Sequence, residues 1–300
     1  MRPTSIACVA LLYAVAIQPA RANDPRLATQ RLATRNGPPR ARAIFLHGLG
    51  GEPNTHLIRN IFAELEQRGA AIEVTAPWLR PVAVDGRGEI REAGVHTMTD
   101  QLRRARAAIE AQPGPVVLIG HSFGGKAALQ LAKEYPGKVK AVVAIAPSVK
   151  MLYAYYKQIT GQRGLPDRAT VERALDQHHR GLEQTLARPG LDQRTQKGLR
   201  SELRYLQVMR DLAAHDEPRM EQGIATPTLV LHGTDDQAVS IHYTRRLAEA
   251  NPGMQLVEYP GLDHGMSKWQ GLHQDQQATQ GAARDAARRI HEFAYQHVGE

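Results

Sequence analysis

The sequence predicts an α/β fold: a mostly parallel central sheet with helices on both faces and a helical segment inserted between two strands. Three observations lead there. After residue 40, short continuous apolar runs alternate with segments of helical periodicity. The runs at 116–119 and 139–146 lack polar alternation, as strands buried on both faces require. The alternation stops from 148 to about 220, where the chain is charged and helix-rich, and then resumes.

The elements follow in order. Residues 43–46 read as a strand ending at His47-Gly48, and Ile58, Ile61, Phe62 and Leu65 recur at helical spacing before Gly69. Residues 72–76 form the next strand, stopped by Pro77. A helix over 99–111 carries Leu102, Ala105 and Ile109 on one side and closes at Pro113-Gly114-Pro115. After the strand 116–119, a helix with Ala127, Leu129 and Leu131 ends at Tyr135-Pro136-Gly137, and Pro147 ends the strand 139–146. Beyond the interruption come a strand at 228–231, a helix at 241–250, a strand at 254–259 and a final helix at 282–297. The Gln-rich stretch 274–280 reads as a loop.

With 300 residues, 42% hydrophobic and 23% charged, the chain can bury a sizeable core. Residues 1–22 read as a secretory signal peptide: Arg2, an apolar stretch from Ile6 to Ile17, and Ala20-Arg21-Ala22 as the cleavage site. That stretch is too short to span a bilayer, so no membrane span is expected after its removal. Cys8 is the only cysteine, so the mature chain has neither a disulfide nor a thiol nucleophile. A periplasmic or secreted protein is expected. The formal charge is +8, part of it in a basic N-terminal arm over 23–41 with Arg26, Arg31, Arg35 and Arg40. No nucleic-acid motif accompanies the charge, and the arm reads as a solvated leader before the first strand. The body is expected at 42–147 and 221–300, with the helical insertion at 148–220.

The chemistry-bearing motif is Gly120-His121-Ser122-Phe123-Gly124, between a buried strand and a helix. A serine hydroxyl is a weak nucleophile and needs an adjacent base and a fixed pose. A tight strand-to-helix turn supplies the pose, and the flanking glycines relieve the crowding it causes. An acid and then a histidine follow downstream. Asp235 and Asp236 lie past the strand at 228–231, and Asp263-His264 past the strand at 254–259. Both sets stand beyond C-terminal strand ends, where open α/β sheets gather their sites. His264 would take the Ser122 proton, and a carboxylate would orient the imidazole.

These residues resemble the α/β-hydrolase superfamily, with the likeness running from about Arg42 and weakest across the insertion. His47-Gly48-Leu49-Gly50-Gly51 is similar to its oxyanion loop and Gly120 to Gly124 to its nucleophile elbow. Gly233-Thr234-Asp235-Asp236-Gln237-Ala238-Val239 resembles its acid loop, and Gly261-Leu262-Asp263-His264 its histidine loop. The resemblance implies the α/β-hydrolase fold with a helical cap at 148–220, a triad of Ser122, Asp236 and His264, and backbone oxyanion donors at Leu49 and Phe123. Asp235 becomes a solvated neighbour, and Asp263 is set aside because it directly precedes His264. His121 is expected to pack at the elbow, His47 to make structural hydrogen bonds, and His178, His179 and His215 to lie on the surface. Within the insertion, the run Met151 to Tyr156 either lines the entrance or packs the cap onto the body.

The implied function is an exported, esterase- or lipase-like serine hydrolase. It cleaves a carboxylic ester of a small-molecule acyl substrate through an acyl-enzyme, with no cofactor and no metal. Two alternatives stay open. One is an amidase or aminopeptidase with the same triad, for which Glu52 is the candidate amine-binding group. The other is a catalytically silent binding protein on the same fold. The sequence sets no oligomeric state.

Overall fold

The computed structural model describes residues 29–32, 41–49, 56–70, 72–77, 82–84, 90–92, 97–162, 166–215 and 223–298. The leader 1–22, most of the basic arm, Gly50, Gly51 and Glu52 lie outside the described residues.

The main sheet has seven strands. They are β1 (Thr29–Leu32), β2 (Ala41–Leu46), β3 (Ile72–Pro77), β6 (Val116–His121), β7 (Val139–Ile145), β8 (Thr228–Gly233) and β9 (Met254–Tyr259), in the order β1-β3-β2-β6-β7-β8-β9. All neighbouring pairs are parallel except β1 with β3. A small hairpin of β4 (Val82–Val84) and β5 (Ile90–Glu92) follows β3, and another of β10 (Lys268–Gln270) and β11 (His273–Asp275) follows β9.

Strand side chains alternate between two cores. Ile44 and Leu46 of β2, Leu118 of β6 and Val142 and Ala144 of β7 join one cluster. Phe45, Val117, Ile119, Val143 and Ile145 join the other. A sheet clothed on both faces needs apolar residues at every position, which explains the unbroken runs in the sequence. Helices α2 (Met98–Glu110) and α3 (Phe123–Glu134) cover the first face, and α1 (His56–Gln67) and α8 (Gln276–Val298) the second. Helix α7 (Ile241–Glu249) joins β8 to β9.

Between β7 and β8 stand three helices, α4 (Met151–Thr160), α5 (Arg168–Leu186) and α6 (Gln193–His215). Leu152, Tyr155 and Tyr156 are buried, so this part of the apolar run packs the cap. The Tyr155 hydroxyl donates to Glu202 at 2.7 Å. The C-terminal end of α6 is tied to the body: the Thr99 amide donates to Asp211 at 3.1 Å, and the Thr99 hydroxyl lies 2.7 Å from His215 Nε2.

Two expectations need correction. The segment read as a solvated arm contains β1, a four-residue edge strand that pairs antiparallel with β3; Thr29-Gln30-Arg31-Leu32 holds a single apolar residue, too little to signal a strand. The Gln-rich stretch is not a loop. It completes β11 and opens α8, because Asp275 accepts the Ala278 amide at 2.9 Å and so caps the first turn. Glutamine is a good helix former, and the missing apolar residues in that turn hid the helix start.

Candidate active site

The sheet order turns back at β2, so the helix-bearing connections leave in opposite directions from β2 and β6. At such a switch point open α/β sheets gather their sites, beyond the carboxyl ends of the strands. Leu46 of β2 lies in register with Gly120 of β6, so His47-Gly48-Leu49 emerges beside the turn that carries Ser122.

Ser122 has φ 54° and ψ −117°, a conformation that costs a non-glycine residue about 1–3 kcal/mol. The surroundings enforce it. The Ser122 amide donates to Ile145 O at 2.8 Å, while its carbonyl accepts from Lys126 N at 3.1 Å and Ser148 N at 3.0 Å. Gly120 and Gly124 let the turn close, since a Cβ at Gly120 would meet Gly124 O at 2.3 Å. On the β2 side, a Cβ at Gly48 would stand 3.2 Å from Ser122 Cβ, so the two loops are in contact. Buried Gln101 of α2 holds the first loop by donating from Nε2 to His47 O at 2.7 Å. Phe123 opens α3 and is fully buried. Its amide belongs to the helix end that favours negative charge.

Asp236 and His264 meet directly, with His264 Nδ1 2.7 Å from Asp236 Oδ2. The Asp236 side chain is fully buried, whereas His264 remains a quarter exposed. The other carboxylate oxygen, Oδ1, accepts the amides of Ala238 at 2.8 Å and Val239 at 2.7 Å. Burial alone would raise this carboxyl pKa. Hydrogen bonds from His232 and then His264, with the Val239 amide, outweigh it and hold Asp236 well below the usual carboxylate range. Asp236 is therefore an anion at neutral pH. Asp235 is exposed and turned away.

Asp263 binds within its own loop. Its Oδ1 accepts the amides of Gly265 and Ser267, and its Oδ2 the indole N–H of Trp269 at 2.7 Å. His121 does more than pack: its Nε2 lies 3.0 Å from the His264 carbonyl, and the two rings stand 5.0 Å apart. A carbonyl only accepts, so Nε2 carries the hydrogen. Residue 121 thus links the histidine loop to the strand end immediately before Ser122. In the cap, His178 is not a free surface group; it is part-buried beside Glu202 at 3.5 Å and packs on Tyr155.

Sequence reasoning missed His232. This residue of β8 is fully buried, and its Nε2 lies 3.0 Å from Asp236 Oδ2. A histidine inside an otherwise apolar strand, four residues before an acid, was the available signal.

Burial first, and the neighbouring His264 second, lower the His121 pKa from 6.5 to about 4. Asp236 and His232 also face this ring. A histidine whose folded pKa is lowered is protonated more readily in the unfolded chain. Its stabilising contribution is complete above pH 6.5 and is lost as pH falls through about 4. Urea unfolding followed from pH 7 to 4 should show this as a loss on the order of 3 kcal/mol. His121→Gln, which keeps an N–H for the His264 carbonyl, should have the flatter profile; equal slopes would exclude the assignment.

A doubly covered parallel sheet with a strained serine at a strand-to-helix elbow, and an aspartate–histidine pair at neighbouring strand ends, defines the α/β-hydrolase class. A profile of the alpha/beta hydrolase family matches residues 43–279, and the chain belongs to that family. Over 112 residues it is 32% identical to the lipase LipV of Mycobacterium tuberculosis, a stretch covering 37% of this chain and 39% of the lipase. Among solved structures, Est1E from Butyrivibrio proteoclasticus with ferulic acid bound is similar at TM-score 0.60 and 15% identity, covering 91% of this chain and 95% of that one. The monoacylglycerol lipase of Paleococcus ferrophilus is similar at TM-score 0.52 and 17% identity, covering 88% and 98%. At such identities the structural likenesses speak for the fold alone. Among the described residues, no helix is long and apolar enough to cross a membrane.

Proposed function

We propose that this protein is an exported serine hydrolase that cleaves a carboxylic ester of a small-molecule acyl substrate through an acyl-enzyme. The observation that carries this reading is the buried, ionised Asp236 hydrogen-bonded to His264 Nδ1 at 2.7 Å, in a loop tied to the elbow of Ser122. The partial identity with a lipase supports an ester over other acyl compounds.

In this mechanism Asp236 keeps the hydrogen of His264 on Nδ1, so Nε2 is the basic nitrogen. His264 Nε2 takes the Ser122 proton as Oγ attacks the ester carbonyl. The tetrahedral oxyanion forms against the backbone amides of Leu49 and Phe123, each contributing about 10²- to 10³-fold in rate. The intermediate collapses to acyl-Ser122, and His264 delivers its proton to the departing alcohol. Water then enters, gives a proton to His264 and attacks the acyl carbon. Collapse of the second intermediate frees the acid and restores Ser122 with that proton. The helices α4 to α6 serve as the cap that limits water and shapes the acyl pocket.

Treatment with a fluorophosphonate should place one covalent phosphonyl group on Ser122, located by mass spectrometry of the digested protein. On a panel of acyl esters of graded chain length beside aminoacyl amides, turnover should favour the esters. An unmodified Ser122, or turnover confined to amides, overturns the proposal. Export rests on the leader at 1–22, and the mature protein should begin at Asn23 on N-terminal sequencing.

A further inference from the structure

Asp236 Oδ2 faces two imidazoles, not one. His264 Nδ1 approaches at 2.7 Å and His232 Nε2 at 3.0 Å. His232 Nε2 also lies 3.0 Å from Val239 O. Both of its neighbours are acceptors, so Nε2 carries a hydrogen. The opposite nitrogen, Nδ1, lies 2.8 Å from the hydroxyl of Thr244, a fully buried residue of α7. A hydroxyl can donate there, and both nitrogens of His232 are then satisfied. Thr244, His232 and Asp236 therefore form a directed chain that ends on the oxygen receiving His264.

We propose that His232 is a positioning residue for the hydrolytic step, a second donor that orients Asp236 and sets how strongly it attracts a proton on His264. This rests on the triad read above. The physical argument has two parts. Two backbone amides hold Oδ1, so the carboxylate can turn only if Oδ2 lets go, and His232 is the rigid donor that prevents this. In addition, a donor sharing Oδ2 drains part of the charge that His264 meets. An aspartate with no competing donor stabilises the His264 imidazolium more, and an imidazolium is not a base. The other titratable groups around this chain are His121, whose ring lies tilted 5.0 Å from that of His264, and Glu258, which is engaged by Arg245 at 2.6 Å.

Replacing His232 by leucine removes the donor and roughly keeps the volume. In ester hydrolysis by the full chain, kcat/KM should fall about tenfold to a hundredfold. The acidic limb of its pH profile should move to higher pH. His232→Gln can keep an N–H near the position of Nε2; it should recover most of the rate and return the limb to its wild-type place. Thr244→Val removes only the far donor and should move the limb in the same direction by less. A purely structural His232 would lower thermal stability without moving the limb or favouring glutamine over leucine. A folded His232→Leu with an unmoved limb, or a His232→Gln as impaired as the leucine variant, overturns the proposal. If His232→Leu does not fold, an unmoved limb in Thr244→Val does so. Asp236→Asn, measured alongside, separates the two levels. Its retention of activity would sink the triad itself, whereas its inactivity beside an unaffected His232→Leu would sink only the role of His232.

Discussion

Ser122→Ala should lower kcat for ester hydrolysis by about 10⁵- to 10⁶-fold and abolish labelling by fluorophosphonate, with little change in fold. In the proposed mechanism no acyl-enzyme forms without Oγ, and His264 and Asp236 have nothing to activate. The residual rate should reflect only the oxyanion amides and substrate binding, which in serine hydrolases persist when a triad member is removed. A companion variant makes the result sharper. Ser122 holds φ 54°, a value that glycine adopts without strain. Ser122→Gly should therefore be as inactive as the alanine variant but more stable than the wild type, by about 1 kcal/mol, in chemical denaturation. Activity surviving in either variant would remove Ser122 from the mechanism.

Gly124→Ala should have the largest effect on the fold itself. The added Cβ would stand 2.0 Å from Leu46 O, 2.5 Å from Leu46 C and 2.7 Å from His47 O. All three are backbone atoms of the β2 end, paired in register with β6 and held by Gln101, so no flexible side chain can swing aside. Either α3 or the His47-Gly48-Leu49 loop must move. A loss of at least about 4 kcal/mol is expected, with activity falling further than the folded fraction because the oxyanion loop is displaced. Circular dichroism and thermal unfolding beside kcat would check this. A stable, active alanine variant would mean that the elbow does not pack as described.

Most of the central sheet was legible in the sequence because a doubly covered strand announces itself. The run 116–119, and Val139–Ile145 with only Lys140 interrupting it, allow few other readings, and the strand at Met254–Tyr259 stands at the sheet end with Gln255 and Glu258 exposed. The elements missed carry no hydrophobic period. Strand β1 is four residues on an edge with one apolar residue among them, and the β10–β11 hairpin leaves Trp269 and Leu272 exposed, so no apolar period marks either one. The start of α8 was hidden because its first turn, with the cap Asp275, is polar.

The site divides the same way. Residue types, their order along the chain and their location past strand ends are one-dimensional facts, and Ser122, Asp236 and His264 are candidates that rest on them. The choice of Asp236 over Asp235 and Asp263 has its physical ground in folded geometry: Asp236 turns inward to His264, Asp235 outward to water, and Asp263 back onto its own loop. His121 reads as packing in a linear sequence because its partner lies 143 residues away, and His232 shows there only its four-residue spacing from Asp236, since its burial and its bond to Thr244 of a separate helix exist only in the fold. By itself, then, the sequence determined a covered parallel sheet and a serine elbow, through apolar periodicity and glycine placement, both of which act over a few residues. Only the tertiary structure decided which carboxylate is buried and ionised, and that it is shared by two histidines, because desolvation and hydrogen bonding depend on groups brought together from distant parts of the chain.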